Sequence, residues 1–197
     1  KDQMKMVSRF TWVDWAQGKV LKQDEKYWQG EHDGYTHLPD PVTHKRTVLM
    51  LDDDRWLVVD HLNGKQSHHY ALHWLFCDGE FGVQQLADAH KLLLTYSDSK
   101  LSESRVMIQM GLVEGSGNFS VVRADSQSTR GWRSKYYGQK EPAISAMLET
   151  DQPQAVFWTF FGSEEDAVEL DSGMLKIKSP TLTTTVDLDT LHLNTLP

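Results

Sequence analysis

From His32 to Phe76, short runs rich in strand-forming residues stop at turn-forming residues, the clearest series of hairpin-connected strands in the chain. A period of two is the signature of strands, because successive side chains of a strand point to opposite faces. Leu38-Pro39-Asp40-Pro41 opens this stretch as a loop, since closely spaced prolines cannot donate to a central ladder. A strand over Thr43–Leu51 follows, then the acidic turn Asp52-Asp53-Asp54, then a strand over Arg55–Leu62. Asn63-Gly64 is the strongest short hairpin signal in the chain, and a strand over Ser67–Phe76 returns from it. The expectation is a three-stranded antiparallel meander.

The rest of the chain repeats this plan. Met4–Trp15 alternates and reads as one strand; short strands at Val20-Leu21 and Tyr27-Trp28 follow the Gln17-Gly18 turn, the second ending at Gly30. Residues 83–96 fit either a helix or two strands, Val83–Leu86 and Lys91–Tyr96, and the surrounding sheet favours strands. Residues 97–104 read as a polar loop. Strands are predicted over Arg105–Val113, Phe119–Ala124, Ala143–Glu149 and Ala155–Gly162, with Asp151-Gln152-Pro153 as the turn between the last two. Ala167–Leu170, Met174–Lys178, Thr183–Leu188 and Leu191–Leu193 complete the set. Many short strands at this spacing predict an all-β, antiparallel multi-strand β-sandwich, with 197 residues forming a single domain.

Composition narrows the partners. A net charge of -8 disfavours nucleic acid and anionic membrane surfaces, which attract basic faces. The single cysteine, Cys77, excludes an internal disulfide and reads as a small hydrophobe at a strand end. No apolar run approaches the ~18 residues of a membrane span. Lys1-Asp2-Gln3 provides neither an initiator methionine nor an apolar leader, so the chain reads as a piece of a longer protein.

Seven of the nine histidines lie between His32 and Phe76. His69 and His73 share a strand face but stand about 13 Å apart, too far to bind one metal. No zinc-type spacing occurs, so no metal or cofactor is expected, and the histidines read as strand residues bonded to neighbours. His32, Tyr35, His44 and Arg46 flank the proline loop and are candidate substrate-binding residues. Arginine pairs with a sugar carboxylate, and tyrosine or histidine moves a proton beside it. The competing reading is a polar cluster that holds the loop. A second candidate set is Arg130, Trp132 and Tyr136, within Arg130–Pro142, where four cations and three aromatics offer charge and stacking surface. Its alternative is an edge strand with charged gatekeepers.

His32-Asp33-Gly34-Tyr35, His44-Lys45-Arg46, Trp56-Leu57-Val58-Val59-Asp60, and His68 or His69 with Tyr70 and His73 together resemble the C-terminal sandwich of heparinase II/III-like polysaccharide lyases. Trp132-Arg133-Ser134, Tyr137-Gly138 and Glu141-Pro142 add to the likeness, which covers about residues 1–162. The resemblance implies a bacterial, periplasmic or secreted parent with an N-terminal (α/α) toroid. That parent would cleave uronic-acid polysaccharide, a glycosaminoglycan or alginate, by β-elimination. The family's His-Ala-Asp and His-Asn-Thr motifs and its zinc ligands have no counterpart here, so no catalytic residue is carried over. The expectation is one wall of a cleft, inactive alone, with an acidic polysaccharide and the toroid as partners. The alternatives are a stand-alone carbohydrate-binding sandwich and a histidine metalloenzyme.

Overall fold

The computed structural model describes residues 3–8, 11–52, 54–87, 89–98, 101–180 and 182–196, and among these there is no helix. Strands β1 (Lys5–Ser8) and β2 (Thr11–Val13) form a small hairpin. A main sheet contains β3 (Gly18–Gln23), β4 (Tyr27–His32), β5 (Thr43–Met50), β6 (Trp56–Phe76), β7 (Glu80–Gln85), β8 (His90–Asp98), β9 (Leu101–Leu112), β10 (Asn118–Arg123) and β13 (Ile144–Gly162). Its order is β3-β4-β5-β6-β13-β9-β8-β7, with β10 on the free side of β13. β11 (Trp132–Arg133) pairs with β12 (Glu141–Pro142). β14 (Ala167–Asp171), β15 (Met174–Lys178), β16 (Thr183–Asp187) and β17 (Leu193–Leu196) form a separate four-stranded sheet.

The all-β antiparallel sandwich is what the strand pattern predicts, and 83–96 falls on two strands, β7 and β8, rather than on a helix. The central meander differs. β6 runs unbroken through Asn63-Gly64, and β13 runs unbroken through Asp151-Gln152-Pro153. The two expected turns lie opposite one another in one long ribbon. The register jumps from Gln152 opposite His68 to Gln154 opposite Asn63, so Gly64–Ser67 bulges out against Pro153. The bulge supplies what a turn would otherwise supply. Lys65 and Gln66 donate their N–H groups to Asp40 Oδ2 (3.1 and 2.8 Å), and the missing N–H of Pro153 falls where the ladder is already open.

The ribbon folds back at this bulge. Trp74 Nε1 donates to Thr159 Oγ1 (3.1 Å), and Trp74 meets Phe161 edge-on, so the two ends of the ribbon face each other. The apolar core between them holds Tyr70, Leu72, Ile108, Met110, Ile144 and Phe157. The opposite face of the central sheet, with Leu57, Val59, Met107, Trp158 and Phe160, packs on Leu175, Ile177, Val186 and Leu188 of the four-stranded sheet. Strict alternation along β6, β9 and β13 therefore feeds two cores, one on each side.

Three smaller expectations change. Met4–Trp15 is a hairpin rather than one strand, with residues 9 and 10 outside those described. Residues 97–104 continue β8 and β9, apart from 99 and 100, which also lie outside the description. Leu191 turns with φ 59°, and the last strand begins at Leu193.

Candidate functional site

β4, β5 and β6 bring the first candidate set together by register alone. His32 lies opposite His44, Gly30 opposite Arg46, and Arg46 opposite Asp60. These residues share the face that looks toward the folded-back half of the ribbon. The backbone N–H of Gly34 donates to His32 Nδ1 (3.2 Å), which leaves the His32 proton on Nε2. His32 Nε2 then donates to His44 Nδ1 (2.9 Å), and His44 Nε2 donates to Asp60 Oδ1 (2.7 Å). Arg46 closes the chain by donating Nε to Asp60 Oδ1 (2.7 Å) and Nη2 to Oδ2 (3.0 Å).

The Asp60 side chain is 3% exposed. Burial pushes its carboxyl upward, but hydrogen bonds from His44 and Arg46, with the guanidinium charge, outweigh burial and hold it below the ordinary carboxylate range. Burial also lowers His32, helped by His44 and Arg46 and opposed by Asp33. Asp33 anchors the loop by accepting the Gln17 N–H at 2.6 Å, and Tyr35 O accepts the Val42 N–H at 3.2 Å.

This cluster opens onto a groove of about 210 Å³ lined by Gln3, Tyr35, His44, Arg46, Asp60 and His73, among others. Tyr35 stands edge-on to His32 and also lines a larger pocket of about 450 Å³ beside Asp40 and His68. His68 Nε2 donates to Asp40 Oδ2 at 2.7 Å, the oxygen that also holds the bulge. Both nitrogens of His32 and of His44 are engaged within the protein, and the Arg46 fork is held by Asp60. The cluster is therefore a rigid polar wall. The Tyr35 hydroxyl, with no hydrogen-bond partner among the described residues, is the group best able to reach a ligand.

The second set does not join it directly. Arg130 donates to Ser145 Oγ (3.0 Å), Ser120 Oγ (2.8 Å), Ser120 O (3.1 Å) and Ser145 O (3.2 Å), which spends its guanidinium on the sheet. It reaches the groove only through Ser145, which is 2.7 Å from His73 Nε2. Trp132 donates Nε1 to Asp125 O (2.8 Å) and carries Lys140 Nζ 3.9 Å from its ring centroid. Tyr136 is 71% exposed and lines neither groove nor pocket. Reasoning from sequence leaves Gln3 and His73 out of the site and Asp60 as part of a strand pattern only. The signal for Asp60 was a lone carboxylate inside Leu57-Val58-Val59-Asp60-His61-Leu62.

His69 accepts a different role, clamped between Asp151 Oδ1 and Glu149 Oε1, each at 3.1 Å, away from this groove. Hydrogen bonds from Asp151 and then Glu149 raise it, whereas burial and Arg130 lower His73. A histidine raised in the fold adds stability below its unfolded value of about 6.5, lost as pH rises through the folded value; a lowered one adds stability above about 6.5, lost as pH falls. NMR titration is expected to place His69 above that value and His32 and His73 below it. A reversed order would contradict the hydrogen-bond scheme.

The sequence matches the family model described as Heparinase II/III-like, C-terminal, over residues 1–172. No curated protein matches. Two solved structures share the fold. One is a heparinase III gene product at TM-score 0.59 and 15% identity, with 92% of this chain and 27% of that one covered. The other is the heparan sulfate lyase HepC from Pedobacter heparinus at TM-score 0.56 and 14% identity, covering 92% and 28%. The chain thus spans about a quarter of the length of these structures.

Proposed function

We propose, for a chain that belongs to the heparinase II/III-like C-terminal family, that it forms one wall of the substrate cleft of a lyase that cleaves uronic-acid polysaccharide by β-elimination. The observation that carries this reading is the His32–His44–Asp60–Arg46 chain lining a polar groove at the edge of the folded-back ribbon. A pre-organised wall of this kind contacts sugar hydroxyls without side-chain reordering. Tyr35 presents its hydroxyl to the bound sugar. The groups that abstract and return the proton belong to the remainder of the parent protein, an N-terminal toroid, since both nitrogens of His32 and of His44 are engaged within the chain.

The chain alone is expected to be inactive. Incubation with heparin, heparan sulfate, chondroitin and alginate, followed in the ultraviolet for unsaturated product, is expected to give no turnover. Robust turnover on any of them would sink the divided-site reading. A stand-alone binding module draws its support from the exposed Tyr136. In that case polysaccharide affinity would fall in Trp132→Ala or Tyr136→Ala and not in Tyr35→Ala.

A further inference from the structure

Beside the cluster, on the same face of the sheet, lies a second groove of about 390 Å³. Its floor is a row of backbone. Val20 lies opposite Gly30, and Gly30 opposite Arg46, so the middle of the row carries no side chain. Trp28 fills that gap from two residues away on the same strand. A Cβ added at Gly30 would sit 2.6 Å from both Cζ2 and Cη2 of Trp28, so the six-membered ring of the indole rests on the glycine. The ring is held there yet 38% of the residue stays exposed to the groove.

The groups around the ring are mixed. Gln3, His32, His44 and Arg46 line the groove beside the ring, whereas the side chains of Lys19 and Glu31, paired loosely at 3.9 Å, project from the opposite face of the sheet. An amide, two imidazoles and a guanidinium already held by Asp60 thus rim one aromatic plane. That arrangement suits neither a bare anion nor an apolar peptide. It suits a polyhydroxylated ring, whose C–H face lies on the indole while its hydroxyls meet the rim. Trp28 and His32 stand four residues apart on one strand, about 13 Å, so the indole extends the polar wall along a single line.

We infer that Trp28, seated on Gly30, is a stacking subsite for one pyranose ring of the polysaccharide, next to the ring held at the His32–Arg46 wall. This rests on the cleft-wall reading above and adds the position of a neighbouring sugar. Titration calorimetry of the chain with a tetrasaccharide prepared from heparan sulfate tests it. Trp28→Ala is expected to weaken binding roughly tenfold, as loss of a central aromatic contact does, and Trp28→Phe less. Gly30→Ala, which keeps the tryptophan but pushes its ring aside, is expected to weaken binding in the same direction. Trp15→Ala removes a tryptophan that is 72% exposed and lines neither groove, and is expected to bind as the parent chain does. Unchanged affinity in both Trp28→Ala and Gly30→Ala overturns the subsite while leaving the wall intact. No binding by the parent chain overturns both.

Discussion

Replacing Arg46 by methionine is expected to destabilise the fold by about 3 kcal/mol, because it leaves a buried carboxylate without its cation. The figure stays at the lower end for a broken buried pair, since the Arg46 side chain is 37% exposed against 3% for Asp60. The loss should depend on pH. In the native fold the Asp60 carboxyl is held below its ordinary value, so its contribution is present above the unfolded value of about 3.9 and lost as pH falls through the folded value. Without the guanidinium, burial acts against His44 alone, and the carboxyl titrates at higher pH. Urea midpoints should therefore show a larger deficit at pH 8 than at pH 5. A deficit equal at both would mean that Arg46 acts through its stacking on Trp74, 5.3 Å from the ring centroid, rather than through Asp60. Combining Arg46→Met with Asp60→Leu should recover most of the loss.

The second large effect is expected at Asp166, whose side chain is fully buried at the start of the four-stranded sheet. It accepts Arg55 Nε at 3.0 Å, the Ser163 N–H at 2.7 Å and Ser163 Oγ–H at 3.2 Å. Arg55 lies just before β6 and Ser163 just after β13, so this one carboxylate ties the small sheet to both central strands. Asp166→Ala strips Arg55 of its buried partner and opens the turn, at a cost of about 3 kcal/mol. Hydrogen exchange should show β14–β17 losing protection before the main sheet. Asp166→Asn keeps an acceptor for the Ser163 N–H and should lose less. Uniform loss of protection in both sheets would refute the tie.

Much of this molecule was legible in its residues. Alternation located most strands and the family likeness located the fold. His32, His44 and Arg46 were grouped because they flank the proline loop, and the register sets them on one face. Two errors have one cause: Asn63-Gly64 and Asp151-Gln152-Pro153 are strong local turn formers, and each was read alone. Their shared bulge depends on pairing between positions about ninety residues apart and on Asp40 from a third segment, which no local window contains. The fate of Arg130 was hidden in the same way. Its partners Ser120 and Ser145 lie on β10 and β13, and only their pairing makes the slot that consumes its charge. Trp28 was read as a strand residue, and nothing local revealed that the glycine two places on would serve as its seat.

The folded ribbon of β6 and β13 also decides how this architecture can be divided or lengthened. Two layers that share both of their central strands are not separable modules. A break at Gly64 or at Pro153 would sever one of the two strands that carry the chain from one layer into the other, leaving the layers joined across the bend by a single strand. Circular permutants opened at either position should therefore fail to fold. New segments are instead admissible at the hairpin tips, such as the β10–β11 connection, where added length never has to pass through the bend.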